Sequence, residues 1–123
     1  MTYKEVNTMI ASIGLPYAYN EFADGTGIAP PFICFLYGDN SNDLIADNFN
    51  YQAIRPLSVE LYTDNKDFEL EASVESALIT NKLPFMRQET YLDSEHMFMV
   101  TYSTEVLIKE EPVTPVTEVN EGE

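Results

Sequence analysis

The chain has 123 residues, of which 45% are apolar and 12% aromatic. That is enough for one packed domain and argues against wholesale disorder. Six Lys and Arg face 21 Asp and Glu, for a formal net charge of −15. This balance argues against non-specific DNA or RNA binding, which needs cationic neutralisation of phosphates, and against docking on anionic lipid.

Cys34 is the single cysteine, so neither an intrachain disulfide nor a Cys-rich metal site is expected. Its neighbours Phe32, Ile33, Phe35 and Leu36 make it a small buried hydrophobe. The N-terminal MTYKEVNTMI lacks an apolar run of signal-peptide length. No stretch approaches the roughly 18 apolar residues of a membrane span. Synthesis in a reducing cytoplasm is therefore expected.

Thr2 and Glu5 fit a capping box ahead of a helix whose Val6, Met9, Ile10 and Ile13 recur at three and four. Gly14 and Pro16 end it. Tyr17 to Phe22 reads as a short strand, and ADGTGIAPP as a loop. FICFLY, apolar without alternation, predicts a strand central in its sheet. GDNSNDLIADN is a polar loop, and Phe49 to Ile54 a further short strand. Leu57 to Tyr62 alternates, with Leu57, Val59 and Leu61 opposite Ser58, Glu60 and Tyr62.

Asp64 or Asp67 can cap a second helix, with Leu70, Val74, Ala77 and Leu78 as its apolar stripe and Glu69, Glu71 and Glu75 facing water. Asn81 closes it and Pro84 follows. Phe85 to Leu92 and His96 to Ile108 form a hairpin in which Phe98, Val100, Tyr102 and Val106 share one face. Its long second strand needs cover for its edge, or a partner. The result is one α+β domain over residues 1–109: a mixed, mostly antiparallel sheet of four to five strands flanked by two helices. Residues 110–123 read as a disordered acidic tail. Without its five acids, 16 acids face six bases, and the folded part still carries about −10.

No constellation of catalytic type stands out. His96 lies beside Asp93 and Ser94 on one turn, whereas catalytic triads join groups from separate elements. Asp39, Asn40, Ser41, Asn42, Asp43 and Asp47 form an oxygen-rich loop, but Leu44 and Asn50 stand where a calcium loop requires Gly and Glu. Gly25-Thr26-Gly27 lacks the rest of a phosphate-binding motif. Glu60, Glu89 and Glu105 are a conceivable carboxylate group, expected by chance in so acidic a chain. No cofactor or metal ligand set is therefore predicted. The eight tyrosines fit either core filler with solvated hydroxyls or an interface, since each joins an apolar body to a polar tip, and Tyr62 with Ser58 and Glu60 is a binding surface if that face is exposed.

The stretches IGLPYAYNEF, APPFICFLY, NFNYQ, VELYTDNKDFELEASVE and YLDSEHMFMVTYSTEVLI, spanning roughly residues 1–109, resemble the tail terminator (tail completion) proteins of siphophages and prophages of Gram-positive bacteria. The resemblance implies an α+β subunit of a homo-oligomeric ring, usually a hexamer. Such a ring caps the tail tube, stops its growth and presents the surface that joins the head. Its implied partners are itself, the tail tube protein and head connector proteins, and its implied place is the virion. No individual functional residue carries over. Interface candidates are the scarce cations Arg55 and Arg87, with Phe49, Tyr51 and Tyr62, and the surfaces 23–30, 39–50 and the free edge of the last hairpin. Alternatives are a head-completion or head–tail connector subunit, and an acidic binding module acting on a host protein.

Overall fold

A computed structural model describes residues 1–22, 27–38, 42–43 and 51–110. In chain order the elements are α1 (Tyr3–Ala11), β1 (Tyr17–Tyr19), β2 (Phe32–Tyr37), β3 (Asn42–Asp43), β4 (Tyr51–Thr63), α2 (Phe68–Thr80), β5 (Met86–Leu92) and β6 (Met97–Glu110). Five strands lie side by side in the order β1-β2-β4-β6-β5, and the two-residue β3 pairs with β4. Only β1 and β2 run parallel; the other pairings are antiparallel. The fold is α+β with a mixed sheet, as expected. The acidic tail expected from residue 110 onward lies outside the described residues, apart from the end of β6.

Both helices sit on one face of this sheet. The reason is the alternation of β2, β4 and β6, whose inward positions are apolar on the same side. Ile33 pairs with Leu61 and Leu61 with Val100, while Phe35 pairs with Val59 and Val59 with Tyr102. All six are buried. Onto them α1 places Val6, Met9 and Ile10, and α2 places Val74 and Leu78.

The helix ends follow their sequence signals. Thr2 accepts from the Glu5 backbone N–H at 3.1 Å, and the Glu5 carboxylate accepts from the Thr2 N–H at 2.9 Å. Gly14 adopts the left-handed backbone (φ 92°) that stops α1 from continuing. Asp67, not Asp64, caps α2, accepting from the Leu70 N–H at 3.1 Å.

Two expected strands, 49–54 and 57–62, are one strand, β4. Pro56 interrupts the sequence pattern but not the ladder. Its carbonyl accepts from the Gly38 N–H at 2.9 Å, so its nitrogen, on the same side of the strand, faces the end of β2. The β2 ladder stops at Tyr37 and Leu57, and β6 pairs with the opposite edge of β4 without a break. Glycine at position 38 suits this junction, since a Cβ there would meet the Pro56 Cβ at 3.1 Å.

The exposed edge of β6 is covered in part. β5 pairs with it only from Met97 to Ser103. Beyond that point the Thr104 hydroxyl donates to the Pro84 carbonyl at 2.5 Å, and the Lys109 N–H donates to the Met1 carbonyl at 2.9 Å. The Lys109 N–H, and the Leu107 carbonyl that accepts from the Met1 amine at 2.8 Å, are β6 backbone groups that would otherwise invite a foreign strand.

Two leucines on opposite faces separate core from surface. Leu61 is 1% exposed and Leu107 is 39% exposed. Leu61→Ala is expected to cost about 2–5 kcal/mol in denaturant unfolding, because it removes buried methylenes and leaves a cavity. Leu107→Ala is expected to stay within about 0.5 kcal/mol.

Candidate functional site

Arg55 lies on the helix-bearing face of β4, opposite the buried Val106 of β6. Its guanidinium donates to the Tyr3 hydroxyl at 2.7 Å and to the Gly38 carbonyl at 3.0 Å. It also stands 5.2 Å from the Tyr37 ring centroid and 5.9 Å from that of Tyr3. The Tyr3 and Tyr37 rings meet edge to face at 5.1 Å. The bond to Tyr3 holds the guanidinium even more firmly charged than usual. Burial, followed by the neighbouring Tyr3 and Tyr19, pushes the Tyr37 hydroxyl up to about 12. This aromatic box ties α1 to β2 and β4, so Arg55 is already engaged within its own chain.

Arg87, on the edge strand β5, is engaged in the same way at the other end of the sheet. It donates to Glu71 at 2.6 Å and to Glu89 at 3.2 Å, and lies 3.7 Å from Glu75. Lys66 donates to Glu71 and, at 2.6 Å, to Glu89. The Tyr102 hydroxyl donates to Glu75 at 2.9 Å. The bond to Glu71 raises Arg87 above its ordinary value, and the bond from Lys66 holds Glu89 below the usual carboxylate range. Burial, then the bond to Glu75, raises Tyr102.

The expectation that Glu71 faces water is corrected here: it is 5% exposed and satisfied by two cations. The missed signal is spacing. Glu71 stands three and seven residues before Val74 and Leu78, on the flank of the buried stripe, and Lys66 and Arg87 are the scarce cations that compensate it. Glu69, by contrast, is exposed.

Tyr62 belongs to the opposite face of the sheet. Its ring stacks on Phe32 at 4.9 Å and its hydroxyl donates to Glu60 at 2.8 Å. Burial, then that bond, raises its hydroxyl. Row by row, this face presents Phe32, Tyr62 and Met99, then Cys34, Glu60 and Thr101, then Leu36, Ser58 and Ser103. Tyr51 starts β4 opposite Glu110. Phe49, the side chain of Tyr51 and most of the oxygen-rich loop lie outside the described residues. The five interface candidates therefore do not form one cluster: Arg55 and Arg87 share a face at separate ends, and Tyr62 is on the other.

The weaker chemical candidates are not brought together either. Glu89 lies on the helix-bearing face, whereas Glu60 and Glu105 lie on the other, opposite Thr101 and Pro56. His96 sits in the exposed β5–β6 turn with φ 55°, and the Ser94 hydroxyl donates to Glu95 at 2.7 Å. Burial pushes the Cys34 thiol up to about 11, with Glu60 and Glu21 adding to the effect, which keeps it unreactive at neutral pH. Among the described residues no three His, Cys, Asp or Glu side chains converge as a metal site.

No protein-family model matches the chain, and no curated protein matches it by sequence. Its fold is nonetheless shared with solved structures. A chain of the virion of a native gene transfer agent particle superposes with TM-score 0.53 and 13% identity, over 88% of this chain and 91% of that one. A chain of the sheath/tube terminator of an extracellular contractile injection system, in its extended state, superposes with TM-score 0.51 and 15% identity. That match covers 98% of this chain and 62% of the other, so this chain spans less than two-thirds of its length. Both neighbours are parts of virion or tail particles, in agreement with the resemblance to tail terminators.

Removing Glu71 is expected to separate a supporting role from a surface one. Glu71→Ala leaves Lys66 and Arg87 with the more exposed Glu89 as their remaining shared anion. The expected cost is about 1–3 kcal/mol, less than for a fully buried pair because both cations retain contact with water. Glu71→Gln, which keeps the shape and one acceptor, should cost less. Thermal unfolding of the two variants checks the order.

Proposed function

We propose that this chain is a structural protein of a phage or phage-like tail, a tail terminator whose copies form a ring that caps the tail tube and joins it to the head. The observation that carries this reading is the fold held in common with a sheath/tube terminator over 98% of this chain. The unit that assembles is the α+β domain of residues 1–109. Its partners are further copies of itself, a tail tube protein and head connector proteins, and its final place is the virion.

The electrostatics support such a part. A ring of subunits with a formal charge of −15 each presents a lumen that repels DNA phosphates, so the genome passes without adhering. The same charge makes the copies repel one another, which restricts their contacts to apolar patches or to local charge pairs. Three of the six cations, Arg55, Lys66 and Arg87, are already committed inside the subunit. Subunit contacts therefore rest chiefly on uncharged surface. Nothing in this role calls for a nucleophile, metal or cofactor.

The virion neighbour also suits a second reading, a head-completion or head–tail connector subunit, since that chain comes from a virion and not from a named tail part. An acidic module that occupies a basic site on a host protein has only the net charge in its support.

Deleting the gene from its phage or prophage separates these roles under electron microscopy. Overlong headless tubes are expected for the terminator. Tails of normal length beside unattached filled heads identify the connector instead, and intact infectious particles remove both.

A further inference from the structure

The helix α2 is apolar on more than the side it buries. Leu70, Val74 and Leu78 point to the core, but Phe68 and Ile79 point away from it and are 70% and 64% exposed. Ala72 and Ser76 complete the outer stripe at helical spacing, and both are exposed. Beside this stripe, Ser12 and Ile13 of the α1 end and Ala72, Ser73, Ser76 and Thr80 of α2 border a groove of about 460 Å³. None of these groups is charged, on a chain that carries −15. Phe68 and Ile79 are thus large apolar side chains standing in water on a helix face otherwise made of small and polar residues.

A second feature, more apolar in its lining, lies at the edge of the sheet. Where β5 begins, a cleft of about 590 Å³ is bordered by Pro56, Pro84, Phe85 and Met86, with Glu105 its one charged group. Met86 is 78% exposed. Met86 pairs with Ser103 and Pro56 with Glu105 on the side turned away from α2, while Phe85 packs on the core residue Tyr102, so the cleft opens at the sheet edge and not toward the outer side of α2. The α2 stripe and the cleft therefore cannot meet within one molecule.

We propose that copies of this chain associate head to tail, the outer face of α2 in one copy seating in the β5 cleft of the next. The occupant is a second copy because the two features are complementary in charge and each exposes apolar side chains. Exposed Phe68 and Ile79 offer apolar side chains to a cleft bordered by Pro84, Phe85 and Met86, and the groove beside α2 has no charged lining residue while the cleft has only Glu105. At the rims, exposed Lys82 directly follows the groove residue Asn81, and exposed Glu105 lies in the cleft. Neither forms an ion pair among the described residues, so the contact brings opposite charges together. Two different patches on each copy generate a closed ring when the rotation between copies returns to its start. This inference deepens the ring reading by naming the surface that would build it.

The test is sedimentation velocity over a concentration series, with disulfide trapping. Lys82→Glu and Glu105→Lys should each weaken association at least several-fold, and the double variant K82E/E105K should restore it. Phe68→Ser should also weaken it with the fold intact, since that ring is largely in water. Under mild oxidation, Ile79→Cys/Met86→Cys should give a ladder of dimers, trimers and higher species, while neither single-cysteine variant does. The native Cys34 is buried and does not compete. A wild-type chain monomeric at every concentration overturns the contact, as does association unchanged by these variants or a dimer trapped by Ile79→Cys alone. Rings that persist through all the variants would refute this contact while sparing the tail reading. The predicted contact, in a phage whose particles survive loss of the gene, would refute the tail reading while sparing the contact.

Discussion

The rest of the molecule depends on the pairing of β4 with β6, which runs along the whole of the 13-residue β4. Side chains of a strand alternate between faces, so this single register decides what every neighbouring element can touch. It aims Leu57, Val59 and Leu61 with Val100 and Tyr102 at the helices. The same register sends Ser58, Glu60 and Tyr62 with Thr101, Ser103 and Glu105 to the other side. A slip of one residue would bury Glu60 and expose Leu61. Apolar burial on one side therefore fixes the register, and the register in turn gives the sheet two distinct faces, one under the helices and one without them.

Buried charge is the exception that completes the core. Glu71 enters the packed layer because Lys66 and Arg87 reach it from the α2 entry and from β5, and Glu75 and Tyr102 join the same network. Such a network contributes little net stability compared with an apolar filling, but its geometry joins the start of α2 to the edge strand. Arg55 does the corresponding work at the far end, where its guanidinium holds Tyr3 and Tyr37 together. Both arginines are thereby used as internal fasteners in a chain with few cations to spare. Beyond these fasteners, Lys4, Lys82 and Lys109 remain exposed on a surface whose other charges are acidic.

Much of this was legible in the sequence wherever a local rule acts alone. The Thr2–Glu5 capping box, the Asp67 cap, the alternation of residues 57–62 and the inward set Phe98, Val100, Tyr102 and Val106 all depend on near neighbours in the chain. The misses depend on partners distant in sequence. Pro56 reads as a break between strands until the end of β2 and Gly38 supply the place where a missing N–H does no harm. Glu71 reads as a surface residue until Lys66 and Arg87 arrive from either side. The exposure of Phe68 and Ile79 is not legible in the sequence, because the core stripe of α2 alone satisfies the helical pattern. The interface candidates fared unevenly for the same reason. Scarcity marked Arg55 and Arg87 as important, but scarcity alone does not distinguish an internal fastener from a contact between copies.

The central claim is that this acidic α+β subunit acts as a ring. The native mass of the purified chain over a concentration series, with negative-stain images of the heaviest species, tests it most directly. The account predicts a closed ring of a fixed number of copies with an open lumen, six being the number the family resemblance implies. A strict monomer at the highest concentration, or open filaments and irregular aggregates without closure, would contradict it.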